Sequence, residues 1–111
     1  MFQKGTPVKS LVALVGMKHR GTEALVSSLP RGEPLTLVRE PTNPHDRWAV
    51  QVWARGVHVG FVKGSQVRPI AMAMDRHGPP PPDPKTMLSG YSLGAKLAID
   101  GGRWPMVEID E

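Results

Sequence analysis

Two short stretches of this 111-residue chain combine cationic side chains with planar ones. The first reads Lys18-His19-Arg20, and the second runs from residue 39 to residue 47. Lysine and arginine contact phosphates, whereas flat rings stack on bases, so the combination is typical of a surface that binds nucleic acid. Our candidates for phosphate contacts are Lys18, Arg20, Arg39 and Arg47, and our candidates for stacking are His19, His45, Phe61 and Trp53.

The same residues also have a purely structural interpretation. Arg39 would pair with Glu40 or pin the turn between two strands, and Asp46 would hold that turn through backbone hydrogen bonds. Three aromatic residues lie in predicted strands: Trp48, Trp53 and Phe61. Aromatic side chains in strands more often belong to a core than to a binding surface.

Charge is distributed unevenly along the chain, whose net charge is +4. Residues 1–70 hold ten Lys and Arg against four Asp and Glu, whereas residues 71–111 hold four against six. The basic front two-thirds favours an anionic partner such as nucleic acid, although a solvated basic surface would show the same imbalance.

Motifs of the common enzyme classes give little support for catalysis. The chain has no phosphate-binding G-x-x-x-x-G-K-[ST], no dinucleotide-binding G-x-G-x-x-G and no cysteine for a thiol nucleophile or thiolate ligand. Its four histidines lack H-x-x-x-H spacing, so a metal site would have to combine His45-Asp46 with a distant histidine. Neighbouring carboxylates occur only in the tail, at Glu108, Asp110 and Glu111. We therefore predict a protein that is not an enzyme and has no cofactor or metal.

Length and composition predict one domain over residues 1–111, with a core from about 8 to 110 and a proline-rich connector at 78–85. The N-terminus lacks the apolar segment of a signal peptide, and no apolar run approaches the length of a membrane span. We expect a soluble, cytoplasmic protein, with no membrane partner, whose oligomeric state the sequence leaves open.

Periodicity predicts a mainly β fold with five or six short strands and one or two helices. Thr22 would cap a short helix, and Ser65 would cap a second helix that runs to about Asp75 and buries residues 67, 70, 71 and 74. A small, partly open β-barrel of the OB type is the expected architecture. Strands are predicted at Leu11–Val15, buried on both faces, and at Leu35–Val38, Trp48–Trp53, Val57–Val62, Ala95–Ile99 and Trp104–Ile109.

The stretch that links the central strands carries a long and specific pattern. From Arg39 it reads R-E-P-x-N-P-x-D-x-x-A-V-x-V, and G-x-x-V-G-F-V follows from Gly56. This combination resembles the HIRAN domain, a family found at the front of helicase-like fork-remodelling ATPases and as short stand-alone bacterial proteins. The resemblance is clear from about Leu11 to Asp75 and implies the same barrel fold.

The resemblance also implies a role in DNA repair or replication. HIRAN domains of fork-remodelling proteins capture the 3′-hydroxyl end of single-stranded DNA, so Asp46 here would accept a hydrogen bond from that hydroxyl. His45 and His19 would stack on the last bases, and Lys18 and Lys63 would meet the backbone. Histidine replaces the family's usual tyrosine at both stacking positions, which predicts weaker and pH-dependent stacking.

Three functions follow from these observations. The first is a non-catalytic module that binds single-stranded DNA, particularly its 3′ end, and works with a helicase or nuclease. The second is a protein-interaction module of the same fold, in which the turn is purely structural. The third, a hydrolytic or metal-dependent enzyme, lacks the expected motifs.

Overall fold

The protein is a closed antiparallel β-barrel, and the computed structural model describes residues 9–76, 94–98 and 105–110 of it. The strands follow the order β1-β4-β3-β2-β5-β6, and β6 pairs again with β1 to close the barrel. Within the described residues the strands are β1 (Lys9–Val15), β2 (Pro34–Arg39), β3 (Val50–Ala54), β4 (Val57–Val62), β5 (Gly94–Leu97) and β6 (Met106–Asp110). The helices are α1 (Met17–Arg20), α2 (Glu23–Ser28) and α3 (Val67–Arg76).

The predicted mainly β barrel is confirmed, with two corrections. The barrel is closed rather than partly open, because the final strand pairs with both β5 and β1. Three helices are present among the described residues, because Met17–Arg20, where no helix was predicted, fold into the single turn of α1. The predicted connector at 78–85 and residues 100–103, between the last two predicted strands, lie outside the described residues.

Alternation of small apolar residues builds the core of the barrel. In β3, Val50, Val52 and Ala54 are buried, whereas the intervening residues are partly exposed. The first strand follows the same rule, since Val12 and Leu14 are buried but Leu11 is 55% exposed. The prediction that Leu11–Val15 is buried on both faces is therefore wrong: β1 has one inner and one outer face.

Helix α3 packs against the barrel through the predicted face. Val67, Ile70, Ala71 and Met74 are all buried, as their i, i+3, i+4, i+7 spacing requires. The helix begins at Val67, so Ser65 is not immediately before it as predicted. Between them, the Gln66 side chain accepts a hydrogen bond from the backbone N–H of Ala13, 2.8 Å away, and so ties the helix start to β1.

Thr22 precedes α2 as predicted, but its hydroxyl does not cap the helix. The hydroxyl instead donates to the carbonyl of Val59 in β4, at 2.5 Å. The first helical bond runs from the N–H of Val26 to the carbonyl of Thr22. Thr22 therefore attaches the helical segment to the barrel wall, which leaves α1 and its cations beside β1 and β4.

Strands β1 and β4 approach each other closely where they pair. Val15 pairs with Phe61, and Leu14 pairs with Val62. Gly60 precedes Phe61 in β4, and it lies so close to β1 that an added Cβ would overlap the carbonyl oxygen of Val15. Only glycine allows this spacing.

None of the helices in the described ranges has the length and apolar character that a membrane span requires.

Candidate nucleic-acid interface

The loop between β2 and β3, residues 40–49, is held by its own polar side chains, and we call it the motif loop. The Asn43 side-chain oxygen accepts hydrogen bonds from the backbone N–H groups of His45 and Asp46, at 2.8 and 3.1 Å. Asp46 Oδ1 accepts from the N–H of Trp48 at 2.9 Å. Such side-chain bonds replace the ladder that a strand would supply. The loop is thus fixed in one shape without regular secondary structure.

Glu40 closes the motif loop at its base. Its carboxylate accepts hydrogen bonds from the side-chain amides of Asn43 and Gln51, and its backbone N–H donates to the carbonyl of Ala49 at 2.9 Å. Gln51 in turn accepts from the indole N–H of Trp53, at 2.8 Å. The network therefore connects the loop to the outer face of β3.

Arg39 is a structural residue and not a phosphate contact, which corrects its place among the candidates. Its side chain is buried, and its guanidinium donates to both carboxylate oxygens of Asp75 in α3, at 3.0 and 3.2 Å. The same group donates to the carbonyls of Arg47 and Ala49, at 3.0 and 3.1 Å. The interpretation that Arg39 pins the turn is confirmed, but its carboxylate partner is Asp75 instead of Glu40.

The motif loop and β4 enclose an open pocket of about 210 Å³, which we call the Asp46 pocket. Three predicted site residues meet there although they are up to 16 positions apart: His45 is exposed, whereas Asp46 and Phe61 are partly buried. The lining residues are Val15, Asn43, His45, Asp46, Ala49, Phe61, Val62 and Gly64.

Asp46 supplies the acceptor chemistry of this pocket. Its Oδ1 atom is engaged by the backbone of Trp48, as the structural interpretation predicted. Its Oδ2 atom has no hydrogen-bond or ion-pair partner among the described residues. A carboxylate oxygen can accept from a hydroxyl, and it repels a phosphate. The pocket can therefore accept a hydroxyl-terminated ligand with a flat group against Phe61 or His45.

A second pocket, of about 300 Å³, adjoins the first, and Val15 lines both. We call it the Lys18 pocket. Its interior is largely apolar and includes Leu14, Met17 and Met106, and the exposed side chains of Lys18 and Lys63 lie at its edge. Two predicted phosphate contacts that are 45 residues apart in sequence are thus brought together beside the Asp46 pocket.

His19 and Arg20 lie apart from these pockets. His19 is exposed on α1 and lines neither pocket. The Arg20 guanidinium donates to the carbonyl of His58 at 2.9 Å, so part of its hydrogen-bonding capacity is engaged. The structure therefore places the predicted Lys18-His19 pair in two different surroundings, with only Lys18 at a pocket.

The aromatic candidates Trp53 and Phe61 both contact His58. The imidazole stacks on Trp53 with ring centroids 5.4 Å apart and makes a T-shaped contact with Phe61, with centroids 5.0 Å apart. Burial lowers the pKa of His58, and the positive charge of Arg20 lowers it further, against smaller opposing effects of the Gly60 carbonyl and Glu40. A neutral imidazole thus packs against Phe61, and the same imidazole covers one face of the partly buried Trp53 ring.

Arg68 is a residue that the sequence interpretation missed. Trp48 is only partly buried, and the guanidinium carbons of Arg47, Arg68 and Arg39 lie 5.0, 5.2 and 5.9 Å from its ring centroid. These distances are within the range of cation–π contacts. One signal was available in the sequence, since Arg68 lies in the first turn of α3, where helices favour acidic residues.

One enzyme-like pattern was also overlooked. Gly90-Tyr91-Ser92-Leu93-Gly94 matches the G-x-S-x-G of serine hydrolases, in which the serine lies on a turn from a strand into a helix. Here the pattern leads into strand β5, which begins at Gly94, and residues 90–93 lie outside the described residues. The required strand–turn–helix context is therefore not met.

In the described ranges, no three His, Asp or Glu side chains are placed to hold a metal ion.

Fold and site together define a small binding domain, in which a rigid barrel presents a pocket with one carboxylate and two rings beside two lysines. The chain belongs to the HIRAN domain family, whose model matches residues 9–78. HIRAN domains are known as nucleic-acid-binding domains. This matched range includes the motif loop and the main residues of both pockets, namely Lys18, His45, Asp46, Phe61 and Lys63.

Two solved structures have the same fold. The HIRAN domain of human HLTF superimposes with a TM-score of 0.65 at 17% identity, covering 97% of this chain and 80% of that one. A protein from Lactobacillus plantarum superimposes with a TM-score of 0.64 at 22% identity, covering 96% of this chain and 98% of that one. Among curated proteins, none matches this chain significantly in sequence.

Proposed function

We propose that this domain binds single-stranded DNA and holds its free 3′-hydroxyl end in the Asp46 pocket, without catalysing a reaction. The single observation that carries the proposal is the convergence of Asp46, His45 and Phe61 in one open pocket. A strand terminus offers one hydroxyl and one flat base, and the pocket offers one unengaged carboxylate oxygen and two rings. Membership of the HIRAN family supports nucleic acid as the ligand.

Each part of the terminal nucleotide has a partner in this arrangement. Asp46 Oδ2 accepts the hydrogen bond of the 3′-hydroxyl, and the last base lies against Phe61 or His45. Lys18 and Lys63, across Val15 from this pocket, attract the preceding phosphates. His58 packs against Phe61 as a neutral ring.

The domain would act in DNA repair or replication, inside the cytoplasm, by presenting a captured end to a helicase or nuclease. HIRAN is a binding domain, and the described pockets contain one carboxylate each, Asp46 and Glu23. Neither pocket pairs two carboxylates for acid–base work, and neither lining includes a serine, threonine or cysteine nucleophile, which favours recognition over catalysis.

A protein-interaction module remains the second candidate, and one observation favours it. Arg39, Glu40, Asn43 and Asp46 all make hydrogen bonds within the fold, so the motif can be explained largely by the demands of the loop. Such an explanation does not account for two features. These are the unengaged Oδ2 of Asp46 and the two lysines at the neighbouring pocket.

Fluorescence anisotropy with a short labelled single strand separates these functions. We expect the strand with a free 3′-hydroxyl to bind roughly tenfold more tightly than the same strand with a 3′-phosphate, because a hydrogen bond to a charged group contributes about 1.5–3 kcal/mol. Affinity for both should fall as salt rises. Equal binding of the two strands contradicts end capture, and no binding at low salt favours the protein-interaction module.

A further inference from the structure

Two arginines without acidic partners lie against one tryptophan of the motif loop. The guanidinium carbons of Arg47 and Arg68 are 5.0 and 5.2 Å from the centroid of the Trp48 ring. Both side chains are exposed, and neither forms an ion pair or a side-chain hydrogen bond within the described ranges. Since both contact the same ring, the two cations lie near each other, and we call them the arginine pair.

The nearest acidic group on α3 does not balance this charge. Asp75 is engaged through both oxygens by the buried guanidinium of Arg39, the third cation near Trp48. Arg39 and Asp75 therefore neutralise each other, and the charges of Arg47 and Arg68 remain. Asp46, which adjoins Arg47 in sequence, lines the pocket proposed to take the strand end.

Fold stability alone gives a weak reason for the arginine pair. A cation–π contact at an exposed site contributes only slightly to the stability of a fold. Against this, the two cations repel each other, and Arg68 lies in the first turn of α3, where the helix dipole disfavours positive charge. An anion bound between the two side chains would reverse both unfavourable effects.

We propose that the arginine pair is a second nucleic-acid contact that holds the phosphodiester backbone of the strand whose end lies in the Asp46 pocket. The inference rests on the proposed function and extends the binding surface onto α3. Arginine binds phosphate through two parallel N–H donors, and stacking on a ring leaves those donors available at the edge of the guanidinium plane. Trp48 thus positions both groups before the strand arrives, which lowers the entropy lost on binding.

Salt dependence of binding tests this proposal directly. Anisotropy of a ten-nucleotide single strand with a free 3′-hydroxyl would be measured from low to moderate salt for the unmodified protein, Arg47→Gln, Arg68→Gln and the double variant. Each lost phosphate contact should reduce the slope of log K against log salt by about 0.7. Arg31→Gln removes the same charge from an exposed turn and is the matched control; its slope should equal that of the unmodified protein.

Two further measurements make the result unambiguous. Arg68→Lys keeps the charge but not the two-pronged donor, so it should bind between the unmodified protein and Arg68→Gln. Thermal unfolding of each variant shows that the barrel is intact, since both side chains are exposed. Slopes for Arg47→Gln and Arg68→Gln that match Arg31→Gln would overturn the proposal.

The outcome is also separable from the fate of end capture. If the arginine pair binds the backbone, the double variant loses affinity but keeps its preference for the 3′-hydroxyl over the 3′-phosphate. If that preference is missing in every protein while the slopes still fall, end capture is wrong and the arginine pair stands. Absence of any binding by the unmodified protein at low salt contradicts both.

Discussion

Arg39 and Asp75 form a two-pronged ion pair that joins the end of β2 to helix α3, with N–O distances of 3.0 and 3.2 Å. The Arg39 side chain is only 4% exposed, and its Nη1 atom donates to the carbonyls of Arg47 and Ala49. One buried cation therefore connects the barrel, the helix and the motif loop. The position of the Asp46 pocket depends on this connection, although Arg39 does not line the pocket.

Replacement of Asp75 should destabilise the whole domain. In Asp75→Ala the buried guanidinium of Arg39 loses its carboxylate, and we expect a loss of about 1–3 kcal/mol in the free energy of unfolding. Partial exposure of Asp75, 41% of its side chain, keeps the loss below that of a fully buried pair. Denaturant unfolding measures it.

The pair Arg55–Glu33, in which the cation is the exposed partner, provides the control for that measurement. Its N–O distance is also 3.0 Å, but the Arg55 side chain is 53% exposed, whereas that of Glu33 is 12% exposed. Arg55→Gln should therefore change stability by less than about 1 kcal/mol. A loss as large as that of Asp75→Ala would contradict the assignment of a special role to the Arg39–Asp75 pair.

Gly60→Ala should disturb the contact between β1 and β4. The added methyl group would overlap the backbone carbonyl of Val15, which cannot move aside as a flexible side chain can. We expect a loss of about 1–3 kcal/mol in stability, together with weaker DNA binding, because Val15 and Phe61 line the Asp46 pocket. Gly64→Ala, where an added Cβ has open space, should leave stability nearly unchanged.

Stability should fall as the solution becomes mildly acidic. The pKa of His58 is lowered in the folded protein by burial and by Arg20, so between the folded pKa and the ordinary value near 6.5 the unfolded chain binds more protons. The contribution of His58 to stability is complete above that ordinary value and declines as pH falls below it. In His58→Phe, which cannot titrate, the decline in denaturant midpoint from pH 7.5 to 5 should be smaller. An unchanged decline would contradict the effect.

His45→Tyr should strengthen binding of single-stranded DNA. His45 is exposed at the Asp46 pocket, and a tyrosine there would bury more flat surface against a base. We expect affinity to rise by a few fold, measured by anisotropy at fixed salt. The same change at His19, which lines neither pocket, should have a smaller effect. The opposite ranking would place the terminal base on α1.

Local patterns made much of the fold predictable. Alternation in β3 and the i, i+3, i+4, i+7 face of α3 are short-range signals, and both are confirmed. The motif around Asn43 and Asp46 likewise encodes its own turn, so it predicted where a rigid loop would lie.

Long-range partners could not be predicted in the same way. The Arg39 side chain takes an interior position because Asp75 is 36 residues away on a helix whose packing the sequence does not specify. Thr22 binds Val59 in preference to its own helix for a similar reason, since the carbonyl of another strand lies within reach. The arginine pair could not be predicted because a tryptophan in a predicted strand is usually a core residue. The contact of Arg68 with Trp48 joins residues 20 positions apart and forms only in the folded protein.

The most direct test of end capture is a thermodynamic cycle in which the Asp46 carboxylate and the 3′-hydroxyl of the DNA are altered separately and together. Binding of strands ending in a 3′-hydroxyl or a 3′-deoxy sugar would be measured for the unmodified protein and for Asp46→Asn, which retains an oxygen for the Trp48 N–H. The account predicts a preference of roughly tenfold for the hydroxyl in the unmodified protein, largely lost in Asp46→Asn. An equal preference in both proteins, or none in the unmodified one, would contradict it.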